Sequence, residues 1–451
     1  MNIWRKIQDK LTYVRIIAMG YLMVIIVGTL LLLLPFSTAK GKSTDFLTAL
    51  FTATTSTCVT GLVVVDTGTH WSLFGQLIIL MMIQVGGLGF MTMGMLLAMM
   101  LKRKITLKTR GLLQESMNGM QVGGIVRVVR MALRGSALIE LCGALLLSIR
   151  FIPLFGVGRG IYYSIFHSVS AFCNAGIDLM GGHYGEYASF VPFADDILIN
   201  VVIMALIIIG GIGFFVWADI KGKKLQIKKY ALYTKIALFM TAVLLIGGTI
   251  LFFLFENGNL LQGMCLKDKI LAAAFSSVTA RTAGFNTIDT AGLTNASKLF
   301  NMVLMFIGGS PGSTAGGIKT VTMLVLLAYV WSNLRGSKGV NIFNRRLGDD
   351  DIRKASNVMV ISLLLAIVAA IFICFMQPVL EAPDVLFEIF SAIGTVGMST
   401  GITRQLSTSS RIVIILLMYC GRIGSMSFAL SFTERKKVAP VQQPVEKIMI
   451  G

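Results

Sequence analysis

The chain has 451 residues, of which 55% are apolar and 14% are charged, and its mean hydropathy is +0.80. Apolar runs at this density would leave too much hydrocarbon in water, which excludes an ordinary soluble protein. The formal charge of +19 fits the basic cytoplasmic loops of membrane proteins better than a nucleic-acid interface. The composition therefore predicts a membrane protein with many spans and no nucleic-acid partner.

Eight apolar segments are long enough to cross a bilayer core, which takes about 20 helical residues. In chain order they lie near 17–36, 73–101, 131–154, 195–218, 231–255, 297–332, 355–378 and 410–432. Four further segments begin apolar and then break at hydroxyl residues around a glycine; they are 44–70, 160–183, 268–292 and 384–405. These four are too short and too polar to span, so we predict that they are re-entrant.

The connections between these segments alternate in charge. Basic residues concentrate in 102–110, 127–134, 221–235, 333–354 and 434–437, whereas the glycine-bearing segments carry carboxylates and few basic residues. Basic loops stay in the cytoplasm. We therefore expect both termini in the cytoplasm and the four re-entrant segments on the outside of the plasma membrane.

One glycine recurs in the four re-entrant segments, which read STCVTGL, AFCNAGI, TARTAGF and AIGTVGM. The glycines are Gly61, Gly176, Gly284 and Gly397, and the intervals between them are 115, 108 and 113 residues. A near-constant period indicates copies of one unit. The sequence predicts an all-α membrane protein of four tandem repeats, each span, re-entrant pore loop and span, in pseudo-four-fold arrangement around one central pore.

The repeats divide the chain as follows. We expect a cytoplasmic N-terminus at 1–16, repeat 1 at 17–101, repeat 2 with its basic cytoplasmic connection at 102–218, repeat 3 at 219–332, repeat 4 at 333–432 and a cytoplasmic C-terminus at 433–451.

The glycine segments predict a cation selectivity filter. Irregular backbone survives at membrane depth only where it lines a water-filled cavity or is buried in protein, and its carbonyls can replace the water shell of a monovalent cation. The alternative is four surface loops that need glycine and hydroxyl residues only to turn, but four copies in register favour the filter. No ring of carboxylates accompanies them, so K⁺ at filter carbonyls is favoured over divalent ions. The candidate filter residues are Thr60, Gly61, Asn174, Ala175, Gly176, Thr282, Ala283, Gly284, Thr395, Val396 and Gly397.

The sixth apolar segment, 297–332, is interrupted by GGSPGSTAGG and cannot be one continuous helix. Such a break must face the pore or protein, and small residues move at little steric cost, so we predict an intramembrane gate below the filter. A kink for helix packing is the alternative, although ten residues are many for a kink. The candidate gate residues are Gly308, Gly309, Ser310, Pro311, Gly312, Ser313, Thr314, Ala315, Gly316 and Gly317, with Lys319 and Arg422 beside them.

Three cations near these segments are open to more than one interpretation. Arg422 lies within the last apolar segment, at a cost of about 3 kcal/mol on insertion scales; we expect it to donate to carbonyls of 308–317 and to hold the pore shut, although it could instead extend to the cytoplasmic interface. Lys319 could hold the loop or simply reach the interface. Arg281 would repel a cation, so we expect it to turn away from the pathway and to pair with a carboxylate.

Several polar residues near the filter have no metal-ligand spacing. Asn174, Asn286 and Ser399 are expected either to brace the loops or to cap helices. His70, His167 and His183 are predicted to pack rather than to bind a metal.

The motifs as a set resemble a known family. FHSVSAFCNAG, VTARTAGFN, MFIGGSPGSTAGGIKT and YCGRIGSMSF, together with VVDTGTHW and QVGGLGFMT, are similar to the Ktr/Trk/HKT superfamily of potassium transporters, most of all to the membrane subunit of bacterial Ktr systems. The resemblance covers about 17–432. It implies a homodimer in membrane lipid, an intramembrane gating loop, a cytoplasmic nucleotide-binding regulatory ring of the RCK type and, in many members, sodium dependence. In that family a glycine in each filter accompanies potassium selection, and all four positions here are glycine.

Two other classes of function would leave different signals in the sequence. A secondary solute or cation carrier with alternating access would show inverted repeats and ionisable residues within its spans, and it stays as the alternative. A membrane enzyme would need a cluster of catalytic side chains, which the intramembrane segments do not offer. We expect no enzyme activity and no organic cofactor, with K⁺, and Na⁺ as a second candidate, as the transported ions.

Overall fold

The structure, a computed structural model, describes residues 13–89, 92, 111, 114–115, 124–224, 226–337 and 339–425. Most of the predicted N-terminus at 1–16, the basic connection at 102–110, the last residues of the span at 410–432 and the C-terminus at 433–451 lie outside the described residues. Within them the regular secondary structure is helical, apart from one pair of two-residue antiparallel strands, Asn341–Ile342 and Arg345–Arg346.

Each repeat begins with a long helix, which we call its first helix. The four first helices are Tyr13–Leu32, Ile125–Phe155, Leu232–Glu256 and Asp349–Met376. In the described part of the chain they are the four single helices that are long and apolar enough to cross a membrane. Large apolar side chains on them remain exposed, for example Leu30 at 58% and Ile371 at 66%. Because no water-soluble protein leaves such a belt uncovered, these surfaces face lipid.

A short helix follows the first helix in every repeat. The short helices are Phe46–Cys58, Val157–Phe172, Leu266–Thr279 and Ala382–Gly394. At 13 to 16 residues they are too short to cross a bilayer. In repeat 1 the helix starts where Asp45 accepts hydrogen bonds from the amides of Leu47 and Thr48. The re-entrant segments that the sequence predicts are therefore present in all four repeats.

The second helices of the repeats are not the continuous spans that the sequence predicted. They comprise Leu73–Leu88, the pair Ile197–Ile212 and Phe214–Lys223, the pair Asn295–Phe306 and Thr320–Leu334, and Thr408–Ile423. The break inside 297–332 was expected. The ends at Leu88 and Ile423 and the 89° bend inside 195–218 were not.

Each unexpected break lies at a glycine, and the three glycines share one backbone conformation. Gly89, Gly213 and Gly424 have φ values of 84°, 106° and 98° with ψ values of 131°, 140° and 129°. Only glycine adopts this region without strain, so the helix must stop there. Within the described residues each second helix therefore stops at such a point: at Gly89, Gly213 and Gly424 in repeats 1, 2 and 4, and at the segment 308–317 in repeat 3.

Close backbone contacts join the second helices to the short helices. A Cβ built on Gly86, Gly210 or Gly421 would lie 1.9, 2.0 or 2.2 Å from a carbonyl oxygen near the end of a short helix. The carbonyls belong to Thr57, Phe172 and Ile393, each four residues before a glycine of the repeated motif. This packing fixes the end of each of those short helices, and hence the start of the glycine segment, against an inner wall of the bundle.

Candidate ion pathway

The four repeated glycines form a closed ring. A Cβ built on each would come within 2.1 to 2.5 Å of the carbonyl oxygen of the residue before the next glycine. Around the ring the pairs are Gly61 with Ala175, Gly176 with Ala283, Gly284 with Val396, and Gly397 with Thr60. The ring closes on itself, so the four repeats surround one axis as predicted. No side chain fits at these positions without displacing backbone of the neighbouring repeat.

The backbone before each glycine has a shared, unusual conformation. The glycines have φ values of +93°, +65°, +83° and +91° in chain order. The residue two positions earlier also has positive φ in every repeat; these residues are Val59, Asn174, Thr282 and Thr395. Alternation between left-handed residues and residues of ordinary φ turns successive carbonyls towards the same side of the chain. The geometry adds Val59 to the predicted filter residues, and as an apolar residue it gave no signal in the sequence.

Hydroxyl side chains support the glycine segments from behind. The Thr55 hydroxyl accepts from the amide of Gly61 at 2.9 Å, and the Ser391 hydroxyl accepts from the amide of Gly397 at 3.0 Å. In the other repeats Ser170 and Thr279 donate to the carbonyl of the residue after the glycine, both at 2.7 Å. Sequence analysis missed these residues, although a hydroxyl six positions before the glycine in three repeats was the available signal.

The segment 308–317 is a loop that doubles back beneath the ring rather than a kinked helix. Its ends meet where the Gly308 amide donates to the carbonyl of Ile318 at 2.8 Å, and Ile307 and Ile318 form a parallel bridge. The Thr314 hydroxyl is 3.1 Å from both the carbonyl oxygen of Phe172 and the Oδ1 of Asn174. A Cβ on Gly316 would lie 1.9 Å from the Thr395 hydroxyl. The loop therefore touches the glycine segments of repeats 2 and 4.

Two cations contact the carbonyls of this loop. Arg422 donates from one nitrogen to the carbonyl of Thr314 and from another to the carbonyls of Gly86 and Gly87, the latter at 3.0 Å. The Lys319 ammonium donates to the carbonyls of Ala315 and Gly316 at 2.8 and 3.1 Å. The expected contact of Arg422 with the loop is present, and its link to repeat 1 is new. Both side chains are turned into the protein rather than out to the interface.

The bend in repeat 2 supplies the other side of the loop. The amide of Ser310 donates to the carbonyl of Gly211 at 3.0 Å, and the amide of Phe214 donates to the carbonyl of Gly312 at 2.8 Å. The hydroxyl of Tyr233 donates to the carbonyl of Pro311. Because Gly213 interrupts its helix, backbone groups that a continuous helix would use internally are free to bind the loop.

The expected partner of Arg281 is wrong. Its guanidinium is only 7% exposed, and it donates to the hydroxyl of Thr241 at 3.4 Å rather than to a carboxylate. Its Nε has no acceptor in the part of the chain that the structure describes. Val278 and Gly309 share the small cavity beside it. Burial of an arginine with so few hydrogen-bond partners lowers the free energy of unfolding, because its desolvation is poorly offset.

The polar residues near the filter divide by role. Asn174 braces two segments, because its Nδ2 also donates to the Thr282 hydroxyl at 3.2 Å. The amide of Asn286 donates to Ser189, while its side-chain oxygen has no partner among the described residues. His70 and His183 contact the rings of Trp71 and Phe155, as packing residues do. The hydroxyl of Ser399 donates to the carboxyl group of Glu388, and the Nε2 of His167 accepts from the amide of Leu179.

Comparison with known proteins identifies the family. The model of the TrkH family, described as cation transport protein, matches residues 9–439. The chain belongs to the TrkH family of cation transport proteins. It is therefore an ion transporter of the membrane and not an enzyme, and the resemblance found in its motifs is confirmed.

Individual relatives agree over almost the whole chain. It is 39% identical to the potassium/sodium uptake protein NtpJ of Enterococcus hirae over 99% of both chains. It is 40% identical to the Ktr system potassium uptake protein B of Bacillus subtilis over 98% of this chain and 97% of the relative. The crystal structure of the potassium transporter TrkH from Vibrio parahaemolyticus matches with a TM-score of 0.71 at 16% identity, covering 92% of this chain and 84% of that one. That likeness supports the four-repeat fold.

Proposed function

We propose that the protein is a potassium translocator of the cell membrane in which K⁺ sheds its water and passes the ring of carbonyls around Gly61, Gly176, Gly284 and Gly397. The observation that carries this function is the ring itself, in which each glycine packs on the carbonyl of the next repeat at a distance that admits no side chain. The relatives named for potassium or potassium/sodium uptake support K⁺ as cargo, with Na⁺ as the second ion to test.

Carbonyl dipoles favour a weakly hydrated monovalent cation. Divalent ions need several charged oxygens to offset their hydration. In the described residues no three His, Cys, Asp or Glu side chains group as a metal site. Selection in this proposal therefore comes from backbone alone, which Thr60, Ala175, Ala283 and Val396 present.

The loop 308–317 acts in this proposal as the gate. Its hydrogen bonds to Asn174, Arg422 and the bend at Gly213 support a closed position directly below the ring. The guanidinium of Arg422 adds a positive charge in that path, which a cation must pass. Opening then means releasing the loop from these contacts.

Regulation is proposed to come from a partner. The chain is expected to act as a homodimer and to bind a cytoplasmic nucleotide-binding ring of the RCK type through the basic segments 221–235 and 333–354. Exposed cations there, such as Lys221 and Arg346, support a docking surface, which the proposal assigns to the cytoplasmic side.

The experiment that tests this function is uptake of K⁺ and Rb⁺ into lipid vesicles that contain the purified chain, with and without cytoplasmic proteins that co-purify with it. The proposal predicts that the vesicles take up Rb⁺ and that K⁺ competes with this uptake. It also predicts that removal of residues 310–315 raises the uptake in the absence of any partner. Saturable flux with strict stoichiometric coupling to a second solute would favour the alternating-access carrier instead. Flux that the deletion leaves unchanged would remove the loop as the gate.

A further inference from the structure

One helix position differs in kind among the four repeats. Nine residues before the repeated glycine stand Thr52 in repeat 1, His167 in repeat 2, Phe275 in repeat 3 and Glu388 in repeat 4. All four side chains are at most 5% exposed and lie on the short helices. Burying a carboxyl group or an imidazole costs free energy unless it is hydrogen-bonded, and neither side chain belongs to the ring of glycines or to the loop 308–317.

Glu388 binds the chain where it leaves the glycine segment of repeat 4. Its Oε2 accepts from the Ser399 hydroxyl at 2.8 Å, and its Oε1 accepts from the Thr403 hydroxyl. The Ser399 hydroxyl also accepts from the amide of Gly401 at 2.9 Å, so its own proton is free to go to the carboxylate. Ser399 is two residues beyond Gly397. The carboxylate thus connects the short helix to the outgoing strand of the filter.

The connection reaches the neighbouring repeat as well. The hydroxyl of Thr290, in the segment that follows the glycine of repeat 3, donates to the carbonyl of Ser399. Displacing Ser399 would therefore disturb two of the four sides of the ring.

His167 makes the corresponding link in repeat 2. Its Nε2 accepts from the amide of Leu179 at 3.2 Å, three residues beyond Gly176. Since an amide can only donate, the ring proton must lie on Nδ1, which is 2.7 Å from the carbonyl of Tyr163 and donates to it. A neutral imidazole held in this tautomer is a fixed acceptor for the outgoing chain.

The remaining two repeats have no such link at this position. The Thr52 hydroxyl donates within its own helix to the carbonyl of Thr48 at 2.9 Å, and Phe275 is apolar. In the ring each glycine packs on that of the next repeat in chain order, so repeats 2 and 4 lie opposite each other. The two polar braces therefore act on opposite sides of one opening.

We infer that Glu388 and His167 are positioning residues that hold the outer end of the ion filter at opposite repeats and thereby set its discrimination between K⁺ and Na⁺. The inference rests on the proposed filter. Glu388 has the larger effect on this discrimination, because it binds two hydroxyls and, through Ser399, holds the segment of repeat 3. A filter whose outer end relaxes can close around the smaller Na⁺ ion, which a rigid ring of carbonyls does not fit.

The test is competition between Na⁺ and K⁺ for Rb⁺ uptake into vesicles that contain the full-length chain. Glu388→Ala should lower the preference for K⁺ over Na⁺ by about tenfold, since two buried hydrogen bonds to the carboxyl group are lost. Ser399→Ala should lower it by about threefold. Glu388→Gln, which keeps an acceptor oxygen, should recover most of the preference. Thr52→Ala is the matched control and should stay within about twofold of the parent.

The outcomes separate the brace from the filter. If Glu388→Ala has the K⁺ preference of Thr52→Ala, the inference is overturned, even when the variant melts at a lower temperature, because a merely structural role moves stability alone. If Glu388→Ala does not fold, Ser399→Ala decides in the same assay. Gly61→Ser is run beside them. If Gly61→Ser also keeps the parent's preference for K⁺, the proposed filter itself is refuted. If Gly61→Ser loses this preference while Glu388→Ala and Ser399→Ala keep it, only the positioning role of Glu388 is refuted.

Discussion

The hydroxyl of Thr314 lies 3.1 Å from the Oδ1 of Asn174 and equally far from the carbonyl oxygen of Phe172, and it shares its proton between these two acceptors of repeat 2, which joins the loop in the broken helix of repeat 3 to that repeat. Asn174 stands two residues before Gly176 and has a φ of +60°. The proposed gate and the proposed filter are therefore in direct contact, with no residue between them. A movement of the loop must either break this contact or move Asn174 with it.

Thr314→Val tests whether this contact holds the loop closed. Valine keeps the shape of threonine but loses the hydrogen bond, which contributes about 1 kcal/mol. We expect Rb⁺ uptake without any partner protein to rise about fivefold. The control is Thr249→Val, because the Thr249 hydroxyl donates to the carbonyl of Leu245 within its own helix at 2.7 Å. Equal uptake in the two variants would show that the contact does not restrain the loop.

Arg422→Met tests the bridge between the loop and repeat 1. The substitution removes donors to the carbonyls of Thr314, Gly86 and Gly87 and takes a positive charge out of the path. Each hydrogen bond from a charged donor contributes about 1.5 to 3 kcal/mol, so uptake without a partner should rise by about tenfold or more. Arg422→Lys keeps the charge but cannot bridge both sides, and its uptake should lie between those of the parent and of Arg422→Met.

The matched control for Arg422→Met is Arg130→Met, which removes an exposed arginine from the first helix of repeat 2. A rise in uptake of the same size in both variants would attribute the effect to net charge. A fall in uptake for Arg422→Met alone would mean that the arginine assists permeation instead of opposing it.

The pH dependence of stability tests a carboxyl group outside the membrane-spanning helices. Burial, with a smaller contribution from the nearby carboxylate of Asp66, raises the pKa of Asp178 to about 7. A carboxyl whose pKa is raised by folding stabilises the fold most below its unfolded pKa, which is about 3.9, and that contribution is lost as the pH rises through about 7. The melting temperature in detergent should therefore fall as the pH rises from about 4 to about 7.

Asp178→Asn should reduce this slope, because asparagine can still accept from the amide of Met180 but does not titrate. The control is Asp289→Asn, whose carboxylate accepts from the exposed amide of Ala291. An Asp178→Asn variant with the same pH slope as the parent would place the titrating group elsewhere.

Repetition made much of this fold predictable from the sequence. Four copies of a glycine motif at a near-constant interval fixed the number of repeats and their common axis, which is why Gly61, Gly176, Gly284 and Gly397 were found without a structure. The loop 308–317 was also evident, because glycine and proline at that density cannot continue a helix. Arg422 was found because a charge at membrane depth needs a partner.

Other features depend on backbone conformation, which the identity of a single residue does not predict. One glycine in an apolar run is tolerated in a helix, so the breaks at Gly89, Gly213 and Gly424 were missed, although each follows another glycine by three residues. Val59 has a φ of 57°, a conformation that is rare for a β-branched residue and that its identity does not predict. The partner of Arg281 was predicted wrongly because charge pairing was assumed, whereas among the described residues its guanidinium donates to the hydroxyl of Thr241.

The central claim, that the closed glycine ring selects K⁺, is tested most directly by Gly61→Ser. A Cβ at this position would lie 2.5 Å from the carbonyl oxygen of Ala175, and the φ of +93° is strained for any residue with a side chain. The control is Gly247→Ser, since a Cβ on Gly247 would meet nothing within 4 Å. In competition of Na⁺ with K⁺ for Rb⁺ uptake, Gly61→Ser should lose about tenfold or more of the K⁺ preference and Gly247→Ser should keep it. A Gly61→Ser variant that discriminates as well as the control would contradict selection by this ring.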